Sequence, residues 1–547
     1  MKPAGLKRQV LVHRNHKCMA IKRIILGLIT ISSLSLQAQE SAIWQDFKTA
    51  KSTGATPVLP DFSYAGYRYS EVPIPEVNYK VFDVTSFGAV PNDNLSDKKA
   101  FIRAIAAAEV NGEGIIYFPK GRYVFNTGND DQEVIRISGS KIVLRGEGRG
   151  NGGTVLFFDK DLPPANPLEM WSVPMAINIG AKGANKKLAD VTANAPRESH
   201  VIEVNNASKI KAGDWIILEV INNSPELIDY DLRGIKPDTS WTSLVKKGAQ
   251  VNERHQVAKV NGNKLTLVEP IHYDVQAKHH WTILSFIHLS EVGVENIAFE
   301  GNWLKKFVHH RSAQDDSGWS ILSLNKSVNS WVRNCSFRNV NNGLTIGASA
   351  ACTAIDLVFE GNMGHNSVDA AGGSTGVLLA NITDLTGMHH AVGVGGGSTT
   401  ATVIWRSSYP ENTCFESHSS QPRCTLLDQV TGGLSDGRAG GAIFNMPNHG
   451  RNLVLWNYNQ LGAARKNFEF WPAKSIWWKI VPPIIVGYHG AGTTFNKDQV
   501  QVLESLGKAV QPESLFEAQL ELRLGKLPEW IAEEKKKIKA QDILAEK

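Results

Sequence analysis

Short apolar stretches recur through the second half of the chain at intervals of 22 to 28 residues. Each is rich in aliphatic, aromatic and β-branched residues, as in WVRNCSFRNV, and glycine-rich or polar turns separate one stretch from the next. The six stretches are residues 331–340, 354–363, 376–385, 401–410, 424–433 and 452–461. A repeat of this length predicts a solenoid in which each coil buries its apolar face against its neighbours.

A second strand is predicted in each coil after a bend. These strands are residues 319–324, 344–349, 368–374, 391–398, 414–420 and 442–448. Because alternate side chains of a strand point to opposite faces, CFESHSS is predicted to turn Phe415 inward and Glu416 and His418 outward. The neighbouring coils carry AAGGS and VGVGGGS at the same height. We therefore expect a glycine-floored groove in which a long ligand can lie close to the backbone.

The segment 81–125 predicts a strand, a polar turn, a helix and another strand. Asp97 precedes the helical pattern KKAFIRAIAAAE, and Gly112 and Gly114 interrupt it before IIYF. The order of FGA, an Asp-rich turn, an Ala-rich helix, GxG and FPKGRY resembles the N-terminal capping unit of pectate-lyase-like right-handed β-helices. The resemblance implies an all-β fold, a right-handed parallel β-helix with an N-terminal capping helix. It does not identify the reaction, because lyases and hydrolases both use this scaffold.

Composition and pattern divide the chain into six parts. We predict a signal peptide, an N-terminal extension, the start of the β-helix with its capping helix, a β-rich insertion, the main coils with the groove, and a charged helical C-terminal tail. Their boundaries are residues 1–38, 39–80, 81–194, 195–285, 286–490 and 491–547. Glu253, Arg254 and His255 are interpreted as ordinary strand or turn residues of the insertion.

The beginning of the chain predicts export. From Met19 the sequence MAIKRIILGLITISSLSLQAQ has a basic start, an apolar run and small residues near its end. The run is too short for a membrane span, so we expect a secreted or periplasmic protein that starts near Gln39. Residues 1–38 hold seven Lys and Arg and no acid, which leaves 51 basic and 53 acidic residues after export. The formal charge of +5 then becomes −2, which argues against a generally basic nucleic-acid-binding protein.

Four cysteines follow the predicted signal peptide, without a CxxC pattern that would indicate a zinc site. In an oxidising compartment Cys414 and Cys424 are candidates for a disulfide. Such a bond would fasten the loop that presents Glu416 and His418.

The bends before the second strands carry histidine and arginine at one predicted column. The column holds His309, His310, Arg311, His365, His389, His390 and Arg438, and the later NHGR adds His449 and Arg451. A single polar residue at a bend often only caps a turn or meets solvent. Repetition at one column favours binding, and we select as substrate-binding candidates His365, His389, Arg438, Asn445, His449 and Arg311.

These residue types fit β-elimination of a uronate polymer. The enzyme must neutralise the carboxylate, remove the C5 proton and protonate the leaving oxygen. His390 and His418 are the candidate base and acid, with Arg423 or Arg438 to neutralise the carboxylate. Glu416 could orient a histidine or hold a cation. The one cofactor that this chemistry could use is a divalent cation such as Ca²⁺, and the sequence leaves its ligands open.

The stretch FESHSSQPRCTLLDQVTGG is similar to a domain of secreted polysaccharide-degrading proteins of Bacteroidota-type bacteria. That group includes lyases that act on chondroitin or dermatan sulfate, and the resemblance covers about residues 280–490. It implies an extended anionic polysaccharide as the partner, with no nucleic acid and no membrane span. The calcium-binding aspartate cluster of pectate lyases is not evident, so a sulfated or other uronate polymer fits better than pectate.

Two alternatives stay open. Glycoside hydrolysis needs a pair of carboxyl groups, for which the sequence offers Glu416, Asp369, Asp436 and the more distant Asp315 and Asp316. A non-catalytic carbohydrate-binding β-helix would rely on exposed aromatic rings more than on histidine and arginine.

Overall fold

The computed structural model describes residues 39–436 and 438–545 of the chain. The predicted signal peptide lies outside the described residues. Over the described part the chain forms stacked parallel β-sheets, which confirms the predicted parallel β-helix. No helix in these two ranges is both long and apolar enough to cross a membrane.

The long sheet is formed by the first series of predicted stretches together with the N-terminal strands. In order of pairing its strands are Val81–Asp83, Gly114–Tyr117, Ile142–Arg145, Gly293–Glu295, Trp331–Arg338, Thr353–Glu360, Leu378–Asp384, Thr402–Trp405, Thr425–Asp428, Leu453–Trp456, Ile484–Val486 and Val502–Glu504. Neighbouring strands pair in parallel register, as Trp331 with Thr353. This is the regular stack that the 22 to 28 residue repeat predicts.

The groove sheet is formed by the second strands of the coils. In order of pairing it contains Ile135–Ile137, Ile177–Gly180, Ser320–Asn325, Asn342–Gly347, Asn366–Ala371, Gly393–Gly395 and Glu416–His418. Glu416–His418 is its last strand. The strand predicted at residues 442–448 is wrong, because Ile443–Asn445 forms a short 3-10 turn instead.

Shorter strands complete the coils. Gly121–Phe125, Thr154–Phe158 and Ala298–Gly301 pair in parallel and lead to the second half of Trp331–Arg338. Two further small groups are Leu289–Ser290 with Ser327–Val328, and Thr431–Gly432 with Asn459–Gln460 and His489–Gly490. Between the sheets lies one continuous apolar core, in which Phe299, Phe337 and Phe359 stack on successive coils.

Helices close the ends and one outer face of the solenoid. The predicted capping helix is Lys98–Asn111, which ends at Gly112 with a positive φ of 87°. Ala42–Thr53 and Leu515–Leu524 share an apolar cluster with Trp405 and Trp456 of the long sheet. The remaining helices and 3-10 turns are Tyr67–Ser70, Val84–Phe87, Ala313–Ser317, Lys497–Gln499 and Glu529–Ala545.

The predicted insertion is a six-stranded antiparallel sheet with its own apolar core. Its strands in chain order are Lys187–Asp190, Val201–Glu203, Trp215–Asn222, Ala249–Asn261, Lys264–Leu267 and Thr282–Ser285. Its connections contain the helix Pro225–Leu232, the π-helical turn Ser243–Lys247 and the 3-10 turn Ala277–His279. Glu253, Arg254 and His255, predicted to be strand or turn residues, lie in its longest strand, where all three are buried.

Candidate functional site

The structure brings four of the predicted histidines together at one edge of the groove sheet. We call the imidazole rings of His309, His365, His389 and His390 the histidine ridge. The centroid of the His365 ring lies 4.9 Å from that of His390, and the His309 ring stacks on that of His389 at 3.9 Å. Because these rings are so close, we treat the four histidines as one cluster and not as separate residues that cap turns.

Parallel stacking explains why the histidines meet. His365 and His390 each precede a strand of the groove sheet, and the backbone N–H of His390 donates to the carbonyl of His365 at 2.8 Å. His309 comes from a different source, the connection that precedes the helix Ala313–Ser317. The first two positions follow from the repeat, whereas His309 is placed by a loop.

The ridge is electrically neutral. Burial lowers the pKa values of His365, His389 and His390 well below the usual histidine value. Burial and the neighbouring His310 and Arg438 lower the pKa of His309 to about 4. Near neutral pH each of these rings therefore keeps one unprotonated nitrogen, which can accept a proton or bind a cation.

Glu416 and Arg438 hold the ridge from one side. Nδ1 of His390 lies 2.6 Å from Oε2 of Glu416 and 2.7 Å from the backbone carbonyl of Arg438. Burial raises the pKa of Glu416 to about 7, an effect that nearby His418 opposes. The Arg438 guanidinium donates to Nδ1 of His389 and to the carbonyl of Asn412. His390 and Glu416 are only 3% and 2% exposed, so both act beneath the surface.

His418 is the exposed member of the site. It is the last residue of the final groove strand, and its ring centroid lies 6.2 Å from that of His390. Gly440 passes directly above it, and a Cβ atom at that position would lie 2.2 Å from Cδ2 of His418. The backbone N–H of Gly440 donates to Oε1 of Glu416 at 3.2 Å. Only glycine lets this segment approach without moving Glu416 and His418.

The predicted glycine floor separates His418 from a second buried carboxyl. Gly395 pairs in register with His418, and a Cβ atom on Gly395 would lie 3.0 Å from Oδ2 of Asp369. Oδ1 of Asp369 accepts from Oγ1 of Thr345 at 2.7 Å. Burial raises the pKa of Asp369 to about 7, and the negative charge of Glu416 adds to the effect. Phe415 packs in the core, in agreement with the predicted alternation.

Several predicted residues lie elsewhere. Arg423 is buried in an ion pair with Asp231 of the insertion, with Nη2 and Oδ2 2.6 Å apart, so the expectation that it faces the groove is wrong. His449 is fully buried, and its Nε2 pairs with Oγ1 of Thr425 at 2.9 Å, which leaves no face for substrate. Its predicted role in substrate binding is wrong for that reason.

Arg311 and Asn445 also have other partners. Arg311 is exposed and pairs with Asp315 at 2.7 Å. Oδ1 of Asn445 accepts from Oγ of Ser243 at 2.6 Å and so connects the coil to the insertion. Neither residue contacts the histidine ridge through these bonds.

The predicted disulfide is wrong. Cys414 and Cys424 are both free and buried, and they belong to different apolar clusters. Cys414 precedes the strand Glu416–His418 and packs into the main core, so the alternation of that strand does not extend to it. Cys424 lies among the residues beneath the terminal helices instead.

Two contributors to the site escaped the sequence prediction. The ring of Phe307 lies 5.7 Å from that of His389 and 6.1 Å from that of His365, and it forms the apolar back of the ridge. Asn448 donates from Nδ2 to the carbonyl of Gly440 at 3.0 Å and fixes the covering segment. Phe307 stands two residues before His309 in FVHH, which is the only local signal in the sequence.

The ridge also has the donors for a metal ion. One ring nitrogen from each of His309, His365 and His390 lies within 4.8 Å of the other two. Among the described residues this is the one group of histidine, cysteine and acidic side chains with such spacing.

Two family models match parts of the chain. Residues 81–157 match the family described as rhamnogalacturonase A/epimerase, pectate lyase-like. Residues 387–534 match a domain of unknown function, DUF4955, which includes the strands Gly393–Gly395 and Glu416–His418. No curated protein matches the chain.

Solved structures match at low identity. The tailspike protein gp49 from Pseudomonas phage LKA1 is 13% identical, with 74% of this chain and 64% of that chain covered and a TM-score of 0.43. The match thus spans less than two thirds of the tailspike. The Streptococcus pneumoniae adhesin PfbA is 10% identical over 77% of this chain and 87% of its own, with a TM-score of 0.38. An exopolygalacturonase from Thermotoga maritima is 14% identical over 77% and 89%, with a TM-score of 0.30. On its strand topology the described chain is a parallel β-helix, and residues 81–157 of it match a pectate-lyase-like family.

Proposed function

We propose that the protein cleaves a uronate-containing polysaccharide by β-elimination at the histidine ridge. The observation that carries the proposal is a cluster of neutral histidines beside an exposed histidine, His418, and a cationic Arg438. His418 is exposed, so a sugar ring can approach it from solvent. Histidine is the side chain best suited to move a proton near neutral pH.

The exposure of the side chains assigns their roles. We assign removal of the C5 proton to His418, because His390 is buried and its Nδ1 is taken by Glu416 and Arg438. The electron pair of the broken C5–H bond forms the C4–C5 double bond as the C4–O bond breaks. The leaving oxygen then takes a proton from the imidazolium of His418, and no water is consumed. Arg438 offsets the carboxylate charge that makes the C5 proton hard to remove.

The substrate class follows from charge and shape. The site contains an exposed histidine, His418, and a partly buried arginine, Arg438, beside the neutral ridge. These few groups can bind an anionic polymer, so the protein does not need a large basic surface. The resemblance of the C-terminal half to secreted lyases supports a glycosaminoglycan such as chondroitin or dermatan sulfate. Such a substrate requires a protein that works outside the cytoplasm, as the N-terminal sequence predicts.

A panel of uronate polymers tests the proposal. Purified protein is incubated with each polymer while ultraviolet absorbance of the unsaturated product and release of reducing ends are followed together. We expect both signals to rise in equal amounts with one polymer of the panel. Reducing ends without the absorbance would contradict elimination, and the His418→Gln variant shows whether the signal arises at this site.

The second candidate function is glycoside hydrolysis, which one observation favours. Asp369 and Glu416 lie in register on strands two apart, and burial raises both pKa values to about 7. Two strand spacings separate their backbones by about 9.6 Å, close to the separation of carboxyl groups in inverting glycosidases. We rank it second because Glu416 is covered by the Gly440 segment and lies against His390, where no sugar reaches it.

A further inference from the structure

We propose that His309, His365 and His390 bind a divalent transition-metal ion, with Zn²⁺ as the best match. The inference goes beyond the proposed function, because metal binding requires only the three imidazoles and can be measured without any substrate. The three come from different segments of the chain, the loop that precedes the helix Ala313–Ser317 and the turns that precede Asn366–Ala371 and Gly393–Gly395.

The spacing of the donor atoms is the first argument. One nitrogen of each ring lies within 4.8 Å of the other two. Nitrogen ligands at tetrahedral Zn²⁺ are about 3.4 Å apart for bonds of about 2.05 Å, so the rings need to close in by little more than one ångström. His309 is only half-buried on its loop, and a side-chain rotation there can supply that movement.

Unused nitrogen atoms are the second argument. Nε2 of His365 is buried and has no hydrogen-bond partner. Nδ1 of His390 is engaged by the Arg438 carbonyl and lies beside Glu416, which leaves Nε2 of that ring as its free donor. A ligating histidine commonly holds a carbonyl or a carboxylate with its other nitrogen, because that bond fixes the tautomer and orients the ring. His390 already shows this arrangement.

The chemistry of the ligands selects the metal. Imidazole favours borderline ions such as Zn²⁺, Co²⁺ and Ni²⁺, whereas Ca²⁺ takes six to eight oxygen ligands. The site offers three ring nitrogens and only one carboxylate beside them, Glu416. Calcium, which the sequence had left open, therefore fits this position poorly. Three protein ligands also leave one coordination position of a tetrahedral ion open, as in catalytic zinc sites.

The Arg438 guanidinium donates to His389 of the same ridge. An ion held by the three imidazoles would therefore share with Arg438 the task of offsetting the uronate carboxylate. This role rests on the proposed function, whereas the binding of the metal does not.

Metal content and cobalt spectra of tag-free protein test the inference. The protein is loaded with Zn²⁺, dialysed and analysed for metal, and a second sample is titrated with Co²⁺ while its visible absorption is recorded. We expect one equivalent of Zn²⁺ per chain and a Co²⁺ spectrum of low coordination number. His309→Ala and His365→Ala should each weaken binding by about 100-fold or more, and Glu416→Gln, beside a ligand, by about 10-fold.

His280→Asn is the matched control. His280 is exposed, lies in the insertion and has a positive φ of 62°, which asparagine tolerates. It should bind the metal as the unchanged protein does, and thermal melting of every variant shows whether the fold is kept. Substoichiometric metal in the unchanged protein, or unchanged affinity in folded His309→Ala and His365→Ala, would overturn the inference.

The outcome is separable from that of the proposed function. Elimination by protein stripped of metal, together with failure to bind Zn²⁺, would remove the metal site and leave the function standing. Binding of one Zn²⁺ per chain without cleavage of any polymer would support the metal site and refute the proposed function.

Discussion

At the scale of single residues, exposure decides which histidine can act on a substrate. His390 has the closest carboxylate partner, but it is 3% exposed and both groups at its Nδ1 belong to the protein. His418 stands one strand away and is open to solvent. The sequence predicted both as candidate base and acid, and the structure distinguishes them by burial, because His418 stays exposed although Gly440 packs against it.

Replacement of His418 by glutamine should reduce polymer cleavage by about 100-fold or more, because the residue that transfers the proton is removed. The melting temperature should stay within error of the unchanged protein, since the side chain is exposed. His280→Asn is the control, as His280 is also exposed but lies in the insertion. Near-normal turnover of folded His418→Gln would refute the assigned role.

Gly440→Ala should lower the activity by displacing His418 or Glu416, since the substitution removes no reacting group. The new Cβ atom would meet His418 at 2.2 Å and Oε1 of Glu416 at 2.8 Å, so the ring or the covering segment must move. We expect at least a tenfold loss of kcat/KM, which corresponds to about 1.4 kcal/mol of transition-state stabilisation. Gly150→Ala is the matched control, because a Cβ there meets no atom within 4 Å. Equal kinetics for both variants would show that this close approach does not matter.

At the scale of elements, a buried ion cluster anchors the insertion. His255 lies between two carboxylates, 3.1 Å from Oε2 of Glu253 and 3.1 Å from Oε1 of Glu269. The backbone N–H of His272, in a bend after the strand Lys264–Leu267, donates to Oε2 of Glu253 at 3.0 Å. Although burial alone would lower it, the two carboxylates raise the pKa of His255 to about 9. The imidazolium is therefore the charge that makes this carboxylate pair tolerable inside the sheet.

The stability of the protein should depend on pH through His255. Its pKa rises from 6.5 to about 9 on folding, so this stabilisation is complete below pH 6.5 and is lost as the pH rises through about 9. Melting temperatures measured across that range should fall. In Glu269→Gln one of the two charges is absent, so the fall should be smaller and should end at a lower pH. A melting temperature that is flat over this range would contradict the cluster's role.

The groove sheet shows why element boundaries were harder to predict than elements. The hydrophobic pattern located its strands through Glu416–His418, but residues 442–448 look equally strand-like in sequence. In the structure Ser243 of the insertion bonds to Asn445, and the segment turns over the site instead of extending the sheet. A contact between residues about 200 positions apart leaves no trace in a local pattern.

At the scale of the whole molecule, the terminal segments close the solenoid. The carboxylate of Glu504 accepts from the backbone N–H groups of Ala42 and Ile43, at 2.7 and 3.2 Å. Asp428 likewise accepts from the N–H groups of Leu515 and Phe516, at 3.1 and 2.8 Å. Glu504 and Asp428 thus each accept hydrogen bonds from free N–H groups at the N-terminus of a helix that covers the long sheet.

Asp428→Ala should release the C-terminal helices from the long sheet. Two buried N–H groups would lose their acceptor, at a cost of about 1–3 kcal/mol each. We expect a lower melting temperature and faster proteolysis between residues 505 and 530, with a smaller change in Asp428→Asn, which retains one acceptor oxygen. Unaltered proteolysis in Asp428→Ala would show that apolar packing alone holds the helices.

The sequence predicted the architecture because the coils repeat. It predicted the site only in part, because several of the predicted residues are buried by contacts that the repeat does not show. His365 and His389 occupy equivalent places in consecutive coils, because Asn366 pairs with His390, so the repeat aligned them correctly. Arg423 and Cys424 lie beneath the insertion and the terminal helices, whereas Cys414 packs into the main core and His449 bonds to Thr425 of a neighbouring coil. Residues buried by long-range contacts were therefore assigned to an open face.

The central claim is elimination at this site, and the most direct test is the origin of the oxygen in the product. A susceptible uronate polymer is digested in water enriched in heavy oxygen, and the new ends are weighed by mass spectrometry. Elimination consumes no water, so we predict unsaturated products without the heavy label, formed by the unchanged protein and lost in His418→Gln. Saturated products that carry the label would contradict elimination and identify the protein as a hydrolase.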